Sequence, residues 1–170
     1  MTTERRAATE EEARALASTL RLRILRLCLD VSLTNKEIAA RLDRDPASVL
    51  HHVRTLVRTG FLEAEPERRG VRGAREVPYR ATGKSWIMDV ADDNGMGIQS
   101  RTLVQAFVED AQRVGLHNID STRMGLRLTP AEHEELTRRL YELVEDFRTR
   151  ESDGEPWSLF TALHRDDRPV

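Results

Sequence analysis

The chain has 170 residues, 39% hydrophobic and 33% charged, enough apolar content to build a core and so to exclude global disorder. No apolar run approaches the roughly 18 residues that a membrane span needs. The net charge of −2 hides an asymmetry: residues 1–85 carry 17 Lys and Arg against 12 Asp and Glu, and the remainder carries 10 against 17, so an anionic partner is expected to meet the first half.

Thr9 followed by Glu10, Glu11 and Glu12 reads as a capping box, with a hydroxyl for orphan N–H groups and a carboxylate three residues on. It opens a helix that runs toward Ser18. Leu20, Ile24, Leu27 and Cys28 recur at i, i+4, i+7 and i+8, one face of a second helix. Thr34 with Glu37 repeats the capping-box signal, and Ile38, Ala39 and Leu42 give a short third helix its apolar face. That helix stops near Asp43. Asp43-Arg44-Asp45-Pro46 is a tight connection in which Asp45 serves as N-cap and Pro46 takes the first helical position, where no N–H is required. The fourth helix runs to Thr59 and ends at Gly60, a C′ residue in the left-handed conformation.

Alternation follows. Leu62 and Ala64 face one way and Glu63 and Glu65 the other, while Val77, Tyr79 and Ala81 alternate with Pro78 and Arg80. Between these two strands lies a glycine-punctuated, arginine-rich turn, and Pro78 predicts a free edge or a bulge in the second strand. Gly83 to Val90 is expected to be helical, with Trp86 and Ile87, and Asp92-Asp93-Asn94-Gly95 to be a turn or loop. From Ile98 to about Val114, Leu103, Phe107, Ala111 and Val114 share a face with Val104 and Val108 beside them. That face is wide enough for two neighbours, its own core and a second subunit. Met124 to Leu128 is expected as a short strand. Thr129-Pro130 opens a final long helix with Leu136, Leu140, Leu143, Val144 and Phe147 on one stripe.

On a helical wheel of residues 46–59, Val49, Leu50, Val53, Leu56 and Val57 gather on one arc. The rest falls to Ala47, Ser48, His51, His52, Arg54, Thr55 and Arg58. A major-groove helix needs this division: small residues near its start for close approach, and longer donors for base edges or flanking phosphates. A solvated polar face looks the same by itself. The short helix before it, the tight turn and the arginine-rich hairpin after it supply the order of a winged helix-turn-helix. Arg68, Arg69, Arg72 and Arg75 at the hairpin suit the phosphate backbone or the minor groove. Ala47, Ser48, His51, Arg54 and Thr55 are therefore the expected base-side contacts, and Arg58 with the four hairpin arginines the expected phosphate contacts.

Three stretches carry a family resemblance: Ala15-Leu16-Ala17-Ser18-Thr19-Leu20-Arg21-Leu22-Arg23-Ile24-Leu25, Thr34-Asn35-Lys36-Glu37-Ile38-Ala39-Ala40-Arg41-Leu42, and Ser48-Val49-Leu50-His51-His52-Val53-Arg54-Thr55-Leu56 with Gly60-Phe61-Leu62. Together, over residues about 13–82, they resemble the ArsR-type winged-helix repressors. The resemblance implies a dimeric DNA-binding regulator whose recognition helix is 46–59 and whose outer helices, before and after the wing, form the dimer interface. The metal-sensing branch typically has a Cys-x-Cys pair on its recognition-side helix, and this sequence has no match for it. The region after residue 83 is also longer than in minimal members.

No enzyme, cofactor or metal is expected. The single cysteine, Cys28, permits no intrachain disulfide and lies on an apolar stripe that reads as core. His51 and His52 are adjacent on a helix and point about 100° apart, which does not suit a shared ion. No P-loop, Rossmann glycine pattern or zinc-hydrolase motif is present. Trp86 and Trp157, with Met88, Met96 and Phe107, read as core or dimer packing, with a ligand pocket as the alternative. The N-terminus lacks a signal peptide's apolar stretch, which points to the cytoplasm.

The expected fold class is mostly α with a small β-wing: a winged helix-turn-helix domain over 9–83 and a helical accessory or dimerisation region over 84–170. The expected function is a homodimeric transcriptional regulator, a repressor, that binds a partly palindromic duplex site. The alternative is a winged-helix protein-interaction module with no physiological DNA target. The expected partners are double-stranded DNA and a second copy of the chain, with no membrane. An unidentified small-molecule or protein effector is left open.

Overall fold

The computed structural model describes residues 6–70, 73, 75–89 and 98–166, and the chain divides after Leu116 into two compact units. In the first unit, β1 (Arg6–Ala7), α1 (Glu10–Leu16), α2 (Thr19–Leu27), β2 (Leu33–Thr34), α3 (Asn35–Leu42) and α4 (Pro46–Arg58) come in that order. They are followed by β3 (Leu62–Ala64), β4 (Arg68–Arg69), β5 (Arg75–Glu76), β6 (Pro78–Ala81), a 3-10 turn Lys84–Ile87, β7 (Met88–Asp89) and α5 (Ile98–Val114). The fold is mostly α with a small β-wing, as the sequence predicts.

Local chemistry sets the helix ends. Thr9 and Thr34 each form a complete capping box, with Glu12 and Glu37 reaching back to the cap N–H. Asp45 accepts from Ser48 N at 2.9 Å, and Pro46 takes the first turn of α4. At the other end, Gly60 has φ +71°. Its N–H donates to Val57 O at 3.0 Å while Phe61 N donates to Leu56 O at 2.8 Å. These paired bonds are a Schellman motif, and the buried Leu56 and Phe61 supply its apolar contact.

The three-stranded sheet has the order β2-β6-β3, antiparallel throughout, with Leu33 opposite Tyr79 and Leu62 opposite Ala81. β6 is thus central, not a free edge. Pro78 is tolerated because it is the first residue of β6, after a break at Val77 that separates it from β5. Its carbonyl still accepts from Glu65 N at 2.9 Å. Leu62 points into the core and Ala64 is exposed, while Tyr79, which pairs with both Ala64 and the buried Leu33, packs against the core.

One expectation fails here. The helix expected over Gly83–Val90 is a single 3-10 turn followed by β7, which pairs in parallel with β1. Pairing of Met88 and Asp89 with Arg6 and Ala7 draws the chain into extended backbone and ends the turn at Ile87. The turn at residues 92–95 and Met96 lie outside the described residues.

The core gathers Ala15, Leu16, Ile24, Cys28, Ile38, Val49, Val53, Leu56, Phe61 and Leu62 from α1, α2, α3, α4 and the sheet. α5 packs on α1 and α2, burying Ala106 and Ala111. One polar knot lies beside this core. The buried Glu12 accepts from Arg6 at 2.7 and 3.0 Å and from Thr9 N at 2.8 Å. Lys84 approaches it at 2.6 Å and also donates to Thr59 O at 2.6 Å, which ties the end of α4 to the start of α1.

The Arg6 bonds, and then Lys84 and Thr9, hold the Glu12 carboxyl far below its ordinary value of 4.5. A carboxylate depressed by folding lends stability above its unfolded pKa and loses it as pH falls through the folded value. The urea midpoint should therefore drop on acidification below about pH 4.5, and Glu12→Gln should flatten that dependence. An equally steep acid profile in the variant would remove Glu12 as its cause.

The second unit contains α6 (Pro130–Arg148), opened by a capping box of Thr129 and Glu132 with Pro130 in its first turn. The strand expected at Met124–Leu128 does not form; these residues have no regular structure. Among this unit's described residues none is buried. Trp157 is 87% exposed.

Candidate nucleic-acid interface

α3 and α4 are joined by a turn in which Asp43 adopts a left-handed conformation, φ 51° and ψ 52°. Asp tolerates this better than most side chains. Asn35, the first residue of α3, donates from Nδ2 to Pro46 O at 2.8 Å, which fixes the start of α4 on the start of α3. Arg68 of β4 reaches the same first turn of α3, with Nη2 2.8 Å from both Glu37 oxygens. The hairpin root and the N-terminus of α4 thus share one anchor. β4 and β5 pair beyond it, Arg68 opposite Glu76 and Arg69 opposite Arg75.

A helix-turn-helix domain family matches residues 16–65. The chain carries a winged helix-turn-helix. This match and the order of elements agree with the ArsR-type resemblance of the sequence. Among solved structures, reduced HlyU from Vibrio cholerae is similar at 22% identity over 59% of this chain and 81% of that one, with a TM-score of 0.35. The homodimeric winged helix-turn-helix DNA-binding domain of Mb0332 from Mycobacterium bovis, a possible ArsR-family regulator, is similar at 20% identity over 66% and 82%, TM-score 0.36. An ArsR-like transcriptional regulator from Rhodococcus sp. RHA1 is similar at 17% identity over 81% and 88%, TM-score 0.37. No curated protein matches the chain.

Within the winged helix-turn-helix, α4 presents two unlike faces. Val49, Val53 and Leu56 are fully buried, while Ala47, Ser48, His51, Arg54 and Arg58 are exposed and Thr55 is half-buried. Thr55 donates its hydroxyl to His51 O at 3.0 Å, so only its lone pairs face outward. His52 sits at the edge between the faces, its Nδ1 3.4 Å from the Arg21 guanidinium. Arg21 is itself anchored on the Ala15 and Arg14 carbonyls. Burial, then the charges of Arg21 and His51, push the His52 pKa down. The two histidine rings stand edge to face with centroids 5.7 Å apart.

The arginines divide into two groups. Arg58 bonds Glu11 at 2.9 Å, Arg68 bonds Glu37, and Arg75 approaches Glu67 at 3.4 Å. Arg54 and Arg69 pair with no acid among the described residues. Arg72 lies outside the described residues. The carboxylate partners were not read from the sequence: Glu11 and Arg58 are 47 positions apart, and Glu37 and Arg68 31 apart. Only the i,i+3 and i,i+4 spacings within a helix give such a signal.

Glu37 has two roles. The Thr34 backbone N–H, then its hydroxyl and Arg68, lower the Glu37 carboxyl below its ordinary value. At the hairpin tip, Arg69 stands directly opposite Arg75. Like charges facing across a strand pair repel, and an anion placed between them would relieve that. Cys28 is fully buried, and burial pushes its thiol up to about 11. Among the described residues no helix is long and apolar enough to cross a membrane.

Proposed function

We propose that this chain is a DNA-binding transcriptional regulator that acts as a homodimeric repressor on a partly palindromic duplex site. Each copy seats α4 in a major groove and lays the β4–β5 wing against the adjoining backbone or minor groove. Two-fold symmetry then sets the half-sites about one helical turn apart. The observation that carries this reading is the outer face of α4. Ala47, Ser48, His51 and Arg54 stand exposed on a helix whose other face is locked in the core, beside a hairpin that places Arg69 and Arg75 together.

On this reading Ala47 and Ser48 permit close approach. His51, Arg54 and Thr55 meet base edges, and Arg58 with Arg68, Arg69, Arg72 and Arg75 meets phosphates. Leu103, Val104 and Val108 of α5 are exposed beside its buried alanines, and they supply an apolar face for the second copy.

A gel-shift with the chain's own upstream DNA tests the reading. No retardation at low salt would sink it in favour of a protein-interaction module. Replacing both Arg69 and Arg75 with alanine should weaken binding to all duplexes alike and lower the slope of log K against log salt by about one to two, most of it from Arg69 because Arg75 already meets Glu67. An unchanged slope would take the wing out of the interface.

A further inference from the structure

α6 is a 19-residue helix with no buried residue. Leu136, Leu140, Leu143 and Phe147 fall at spacings of four, three and four, the seam of a short coiled coil. Leu140, Leu143 and Phe147 are 37%, 55% and 61% exposed. We propose that α6 pairs antiparallel with α6 of a second copy of this chain.

The seam is its own complement when one strand is reversed. Leu136 then meets the partner's Phe147 and Leu140 meets the partner's Leu143, and two-fold symmetry repeats both contacts. Four layers close with no seam position left unmatched. Charge chooses the same arrangement. Arg139 and Asp146 each precede a seam residue by one position, and antiparallel pairing brings Arg139 beside the partner's Asp146 twice, once toward each end of the seam. A parallel pair in register would instead face Arg139 with the partner's Val144, which gains nothing. In the chain as it stands, Arg139 bonds Glu135 at 2.5 Å and Asp146 bonds Arg150. Both are exposed pairs within one helix, worth little individually, so exchanging partners costs little. Three helical turns of seam bind weakly alone. This clasp therefore rests on the homodimer proposed above, which supplies the high local concentration of the second α6. It does not rest on DNA binding.

Disulfide cross-linking of the full chain without DNA tests the register, and the buried Cys28 gives an inert background. Mixing differently tagged L136C and F147C chains should give an interchain disulfide between the two tags. L136C alone should not cross-link. In the antiparallel register the two copies of position 136 lie about 16 Å apart at 1.5 Å per residue, beyond the reach of a disulfide. Self-linking of each variant as readily as the mixture would show a parallel pair and overturn the proposal. Absence of any cross-link in a chain that runs as a dimer on size exclusion would overturn the clasp alone, whereas a chain that runs as a monomer would overturn it together with the homodimer on which it rests. R139D, an exposed change that leaves the core untouched, should cut the mixed yield several-fold. Adding D146R to the same chain should restore it. Failure to restore would refute the register even if the copies associate.

Discussion

Arg54→Ala should weaken binding to the chain's own DNA site by roughly 5- to 150-fold per half-site, the worth of one good base contact. Affinity for unrelated duplex should change far less. Arg54 is exposed at the middle of the outer face of α4 and holds no acid among the described residues, so its removal costs the fold nothing that would blur the result. Competition binding against single-base variants of the site reads the effect: preference should relax at one position in each half-site. A loss spread evenly over all sequences would instead make Arg54 a phosphate contact. Arg58→Ala should do less, because that guanidinium is already held by Glu11.

Phe61→Ala should destabilise the first unit by about 3–5 kcal/mol, the usual cost of emptying a buried phenylalanine site. Phe61 is 1% exposed. It closes the Schellman motif of α4 through its N–H, packs with Leu56, and lies under the Lys84 ammonium at 5.2 Å from the ring centroid. Alanine keeps the backbone bond and loses both packing contacts. Chemical denaturation of wild type and variant checks the figure. A loss below about 1 kcal/mol would mean that the neighbours collapse into the space.

The helix ends around α4 were legible because their causes are local. Thr9 with Glu12, Thr34 with Glu37, Asp45-Pro46 and Gly60 each act within four residues, and the structure places all of them as read. Elements whose partners are distant were not legible. β1 and β2 are two residues each and exist only because β7 and β6 come alongside. Period-two alternation cannot be detected in so short a piece. Met124 to Leu128 has the right residue types for a strand but no strand pairs with it among the described residues, so it stays irregular. The face of α4 was legible from its wheel. The pairing of three expected phosphate ligands with Glu11, Glu37 and Glu67 was not, since it depends on tertiary approach.

On the proposed reading, those three pairs would alter the ion arithmetic of DNA binding. A guanidinium that moves to a phosphate displaces a cation from the DNA, but the carboxylate it leaves behind recruits a cation in return. Arg58, Arg68 and Arg75 should then contribute less to salt sensitivity than Arg69, which pairs with no acid among the described residues. Arg68, which meets both Glu37 oxygens, would be the best ordered of the three before DNA arrives and so would avoid part of the entropy cost of being fixed. On the proposed reading, each exposed pair is worth little alone, and a run of phosphates matched to α4 and the wing together should displace all three at once.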